Sequence, residues 1–278
     1  MKTLGIIPAR AGSKSIPHKN TVEFGGKPLI EWVIDAGKAS NLDMLLCSTD
    51  DPMVMDICDA KGVQWLQRHP DLAGDDAPIF DVVMDVLNST YSGWPFKDEI
   101  EVVALLQPTS PFITPYHINH CINMLDFDAS LASIQTITQV PHNFHAHNQR
   151  QFDEKGHVSF IFPEERAVEY NKQRKHKHFM FGNLVVTRVD SIRYGLFAAP
   201  SFGYEIEPEY ALDIESHRDI ELGEWYLERG KIDGICKTDR FRYWYKEGSV
   251  DWSGPSMLDC CGSGGCSLRE DRESDQTG

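Results

Sequence analysis

Short β-rich runs alternate with helix-period segments through the first half of this chain, and that alternation limits the possible folds more than any other feature. KTLGIIP, DMLLCST, VQWLQ and EVVALLQ read as strands, and two of them are apolar without alternation, as strands covered on both faces are. Between them lie helical patterns. PLIEWVIDAGKAS places Leu29, Trp32, Val33 and Ala36 at helical spacing behind Pro28, and PMVMDICDAKG closes on Gly62. APIFDVVMDVLNST and, after Pro115, PYHINHCINML obey the same rule. Strand–helix alternation predicts an α/β fold, a mainly parallel sheet with helices on both faces. From about 135 to 178 the period lapses into a stretch rich in His, Asn, Gln and Lys. FMFGNLVVTR and FGYEIE then restore strand character, and SHRDIELGEWYLERG reads as a helix capped by Ser216. Residues 1–232 are expected to form one domain and 233–278 a C-terminal extension, disordered from about 253, where small and charged residues dominate.

Composition removes several classes of function. The net charge of −15 over 278 residues opposes a nucleic-acid or anionic-membrane surface, which needs a basic face. No apolar run approaches the ~20 residues of a spanning helix. MKTLGIIPAR is too short and too soon charged for a secretory leader, so the expectation is a cytoplasmic protein with neither nucleic acid nor membrane as partner. Cys47, Cys58, Cys121 and Cys236 are scattered, and CCGSGGC lacks both C-x-x-C spacing and nearby histidines, which favours free thiols over zinc. HNFHAH and RKHKH invite a metal reading, but Arg174, Lys175 and Lys177 beside them disfavour a cation.

The first strand ends in GIIPARAGSKSIPHKN, and this loop has the chemistry of a polyphosphate site. Arg10, Lys14 and Lys19 bring three cations within ten residues, a planar fork and two compact point charges. Gly12 permits close backbone approach, and Ser13 and Asn20 add neutral hydrogen-bonding groups. In an open α/β sheet a loop in this place lies at the ligand-binding edge. It matches neither the phosphate loop G-x-x-x-x-G-K nor the dinucleotide fingerprint G-x-G-x-x-G.

PARAGSKSIPHKN resembles the signature of the acylneuraminate cytidylyltransferases, P-A-R-x-G-S-K-G-x-P-x-K-N, with Ser15 where Gly is usual. Three further stretches match in order. QRHPDLAGDDAPIFDVV matches at Arg68, Leu72, Ala73, Asp75 and Ala77; LLQPTSPF matches at 105–112, with Ile113 where Arg often comes next; and LDIESHRDIELGEW carries Glu215 where Asp is usual. The resemblance covers roughly residues 2–229 and implies a Rossmann-like nucleotidyltransferase fold in which a segment over 135–180 projects, contributes to a homodimer and closes over the sugar site.

It also implies a reaction: CMP passes from CTP to the anomeric hydroxyl of a nonulosonic acid, with Mg²⁺ as cofactor. On that resemblance Arg10, Lys14 and Lys19 act on the triphosphate, while Gly12, Ser13, Asn20, Arg68 and Ala77 bind CTP. Gln107, Thr109 and Ser110, following a strand, reach the pocket edge and bind the sugar, with Arg174 meeting its carboxylate. Asp213 and Glu215, two apart on an extended segment, point the same way and can share one Mg²⁺. Two alternatives stand beside this reading. One is CMP transfer to the eight-carbon acid of lipopolysaccharide, whose enzymes usually read P-A-R-x-x-S-x-R-L-P-G-K; the other is a nucleotide-binding protein without catalysis.

Overall fold

Strand β1 (Lys2–Ala9) is the centre of the architecture, because its two faces feed two separate cores. Ile7 and Ala9 enter one core, Leu4 and Ile6 the other, and all four are fully buried. The structure is a computed structural model that describes residues 1–89, 99–169, 171, 173 and 175–232. Beyond β1 the chain forms a small β2 (Glu23–Phe24) and β3 (Lys27–Pro28) ribbon, α1 (Leu29–Ala39), β4 (Met44–Thr49), α2 (Pro52–Lys61), β5 (Gln64–Gln67), α3 (Ile79–Asn88) and β6 (Ile100–Leu106). Then come α4 (Pro115–Phe127), β7 (Ser133–Gln139), the hairpin β8 (Arg150–Phe152) and β9 (Val158–Phe160), α5 (Pro163–Val168), β10 (Phe179–Arg188), β11 (Ser201–Glu205) and α6 (His217–Glu228).

Seven strands make the main sheet in the order β11-β7-β10-β6-β1-β4-β5. Every pairing is parallel except those of β10, which runs antiparallel to both β6 and β7. Buried residues of α1, α2 and α4 pack on one face, and those of α3 on the other. From β1 the chain steps outward to β4 and β5, then returns to place β6 on β1's opposite side. The crevice beyond the carboxyl ends of β1 and β6 is therefore the topological switch point, where open α/β sheets bind ligands.

Local sequence explains the helix ends. Asp51 accepts the Met53 N–H at the start of α2, and Gly62 ends that helix with φ of 65°, a left-handed conformation that favours glycine. Thr114 with His117, and Ser216 with Asp219, form reciprocal capping boxes on α4 and α6.

The structure departs from the sequence reading at β7. Residues 135–139 stay in the sheet, and the polar excursion leaves it at Val140. Ile134, Thr136 and Thr138 are buried while Gln135, Ile137 and Gln139 are not, a strand pattern that the polar composition conceals. The Thr136 hydroxyl accepts the backbone N–H groups of Asn183 and Leu184 at 2.8 and 2.9 Å, filling a gap where the β10 register slips. The extension from 233, with its tail from about 253, lies outside the described residues. Among the described residues no helix is long and apolar enough to cross a membrane.

Candidate active site

The loop after β1 is held in shape by its own side chains and by neighbouring strands. Ile16 is buried in the main core and anchors the loop's middle. Asp50, just past β4, accepts the Ala11 N–H at 2.7 Å, and the Asn20 amide donates to the Arg10 carbonyl at 3.0 Å. Gly12 takes φ of 75°, and a side chain there would meet only open space, so backbone conformation rather than crowding calls for glycine. Ser15 needs no such freedom: His18 is the one non-glycine with positive φ among the described residues.

This loop forms one wall of an open cleft of about 540 Å³ at the switch point. Arg10, Gly12, Ser13, Lys14, Lys19 and Asn20 line that wall. Gln107 and Thr109, just after β6, and Glu215 line the same cleft. Asp51, Asp75, Ile79 and His18 also face the cleft, and the sequence reading gives none of them a role. Asp75 alone carries a signal, since it is a matched position of the second motif.

Asp213 and Glu215 are set by the residue between them. Ile214 is fully buried; its N–H donates to the Thr109 carbonyl at 2.7 Å, and its own carbonyl accepts the Lys19 ammonium at 3.1 Å. The flanking acids consequently turn outward. Glu215 pairs with Lys19 at 2.8 Å. Asp213 keeps solvent contact, yet the protein packed round it raises its carboxyl pKa. The Thr109 hydroxyl and Lys19 oppose that rise, and the charges of Glu215 and Asp219 add to it. Crowded carboxylates beside a hydroxyl form an oxygen donor set that suits a hard divalent cation.

Four expected contacts lie outside the cleft lining, and Asp213 is one of them, reaching the site only through Thr109 and the nearby Lys19 charge. Ser110 is 2% exposed and lies outside the cleft lining; its N–H closes a turn onto the Gln107 carbonyl at 3.0 Å, which rotates the residue inward. Arg68 is also buried and away from the lining, where its guanidinium donates to the Ser48 carbonyl at 2.9 Å and braces the end of β4. Burial lowers its pKa, and the Asp50 carboxylate opposes that. Ala77 is half-buried in the turn before α3 and does not line the cleft. Arg174 lies outside the described residues.

The histidine-rich segment forms a closed network. His145, His147 and Glu169 bring potential ligand atoms within 4.8 Å of one another. However, one His145 nitrogen accepts the His147 N–H and the other meets the His176 carbonyl at 3.0 Å. Glu169 spans His147 at 2.7 Å and His176 at 3.2 Å. These bonds tie His145 and His147 to Glu169 and His176.

The cytidylyltransferase family model matches residues 4–182. N-acylneuraminate cytidylyltransferase of Streptococcus agalactiae serotype III (strain NEM316) is 26% identical over 259 residues, 89% of this chain and 58% of the relative. CMP-N,N'-diacetyllegionaminic acid synthase of Legionella pneumophila is 39% identical over 145 residues, 51% of this chain and 61% of the relative. The chain thus spans little more than half the length of these relatives. Among solved structures, CMP:2-keto-3-deoxy-manno-octonic acid synthetase complexed with CTP aligns with a TM-score of 0.59 at 16% identity, covering 83% of this chain and all of that one, a likeness of fold alone. The order of strands, the cation-bearing loop at the switch point and a match running from β1 into β10 agree on one assignment: the chain belongs to the cytidylyltransferase family.

Proposed function

We propose that this cleft transfers CMP from CTP to the anomeric hydroxyl of a nonulosonic acid and releases pyrophosphate. The observation that carries the reading is the convergence of Arg10, Lys14, Lys19 and Glu215 on one cleft, with Asp213 just outside its lining and hydrogen-bonded to Thr109. The sugar hydroxyl attacks the α-phosphorus, the bond from that phosphorus to the bridging oxygen breaks, and the hydroxyl proton is released. Arg10 and Lys14, on the exposed side of the loop, meet the β- and γ-phosphates and stabilise the departing pyrophosphate. Lys19, nearly buried and fixed by the Ile214 carbonyl, holds its charge at one point of the cleft. Gln107 and Thr109 offer hydrogen bonds to the sugar's hydroxyls. Asp213 and Glu215 would hold Mg²⁺, which would supply positive charge against the phosphate oxygens.

The relatives' names favour a nonulosonate over the eight-carbon acid, whose synthetase matches in fold only. The buried free thiols Cys47, Cys58 and Cys121 suit a reducing, cytoplasmic setting. A homodimer is part of the same proposal. The projecting segment exposes Phe144, Phe152, Val158 and Val168, each more than half accessible, a surface of the kind that association covers. Sedimentation at working concentration reads that state directly. The activity is tested by pyrophosphate release from CTP and Mg²⁺ across a panel of sialic, legionaminic and pseudaminic acids and the eight-carbon acid. Release with one nonulosonate supports the reading; release only with the eight-carbon acid, or CTP binding without any release, replaces it with the corresponding alternative.

A further inference from the structure

The three cations of the opening loop already have anionic partners. Lys19 is paired with Glu215, but that contact is shared with the backbone and with a proposed metal ligand. Asp75 is different. It stands in the turn before α3, and its two carboxylate oxygens take separate cations. Oδ1 accepts from the Arg10 guanidinium at 2.6 Å, and Oδ2 accepts from the Lys14 ammonium. All three residues line the cleft. Lys14 is 85% exposed on a long flexible stem, and this carboxylate is what gathers it to the side of Arg10.

We propose that Asp75 is a built-in counter-anion, which holds Arg10 and Lys14 together and competes with an incoming polyphosphate for both. The inference rests on the reading of the cleft as a triphosphate site and adds a residue to it. Its chemistry derives from exposure. Ion pairs open to solvent are weak, so two of them can order the cations and still give way to a ligand of higher charge. A phosphate chain offers more negative charge and more acceptor oxygens than one carboxylate. Binding must either break the Asp75 contacts or place phosphate beside a carboxylate, and both outcomes weaken anion affinity.

Removing the charge should therefore tighten anion binding, whereas loss of a merely structural residue would weaken it. The test is calorimetric titration of the full chain with inorganic pyrophosphate, without divalent metal, for the wild type, Asp75→Asn and Asp75→Glu. Two exposed pairs correspond to a gain of about 3- to 20-fold for Asp75→Asn at low salt. The gain should shrink towards unity by ~0.5 M salt, where screening reaches within a few ångströms. Asp75→Glu should return to within about twofold of wild type. Unchanged or weakened binding in Asp75→Asn, or a gain that persists at high salt, overturns the inference. Wild-type protein that binds neither pyrophosphate nor CTP overturns the triphosphate reading as well, whereas wild-type binding with no effect of Asp75→Asn removes the counter-anion alone.

Discussion

Asp213→Asn separates a metal ligand from a structural acid, because the two roles predict opposite changes in stability. The amide retains an oxygen that can accept from Thr109, and the fixing of the segment through both backbone groups of Ile214 does not involve the Asp213 side chain. The substitution removes one negative charge from beside Glu215 and Asp219. Surrounding protein, together with those two charges, raises the Asp213 pKa despite Thr109 and Lys19. A carboxyl whose pKa is raised by folding stabilises the fold while protonated and loses that contribution as pH climbs through the folded value. At neutral pH the variant should therefore melt at or above the wild-type temperature. Turnover should fall on the order of 10²- to 10³-fold, or ~3–4 kcal/mol, the usual loss when one well-placed charge no longer opposes charge developing in the transition state. Pyrophosphate release measured against Mg²⁺ concentration, alongside a thermal melt, reads both quantities. A wild-type rate with wild-type Mg²⁺ dependence would refute the metal assignment. A lowered melting temperature with activity lost in proportion would show that Asp213 holds the segment rather than the ion.

Two further outcomes test the scaffold. Gly223 on α6 lies against the buried Phe24 ring, and an added Cβ would sit 2.6 Å from that ring and 2.9 Å from Leu212. Phe24 is wedged against Trp32 and Phe112 and cannot move aside cheaply. Gly223→Ala should accordingly destabilise by about 1–3 kcal/mol in urea unfolding, although alanine is the better helix former; neutral or positive stability would show that the aromatic cluster yields. Stability should also decline in mild acid. Burial lowers His117 to about 3 and His120 to about 4. The unfolded chain takes up these protons below ~6.5 while the fold refuses them, so the stabilisation is intact above pH 7 and is lost as pH falls, by up to about 2 kcal/mol for each histidine at pH 5. His120→Phe retains a ring against Tyr116 and Tyr204 and should shallow the decline by about one proton; an unchanged slope would count against His120.

The strands legible in the sequence are those whose apolar residues leave no other reading, β4 and β6 above all, and the helices those with Pro at one end or Gly at the other. β7 is hidden because its inward positions include Thr136 and Thr138, whose hydroxyls look like loop chemistry until burial is known. The reversed direction of β10 is equally hidden, since a strand buried over six successive residues reads the same either way. At the site the cations are legible as a local cluster. Their partners are not: Asp75 lies 65 residues from Arg10, and Glu215 lies 196 from Lys19. Ser110 shows the limit on the local side, where one turn hydrogen bond decides whether a hydroxyl faces the cleft or the core.

Everything proposed for the cleft depends on the loop after β1 and the acids before α6 forming one nucleotide site. A crystal structure of the protein with CTP and Mg²⁺ would decide it. The triphosphate should lie against Arg10, Lys14 and Lys19, with the pairing of Asp75 to Arg10 and Lys14 broken and the ion on Asp213, with or without Glu215. A nucleotide seated anywhere else, or a triphosphate that touches none of these cations, would contradict the shared site.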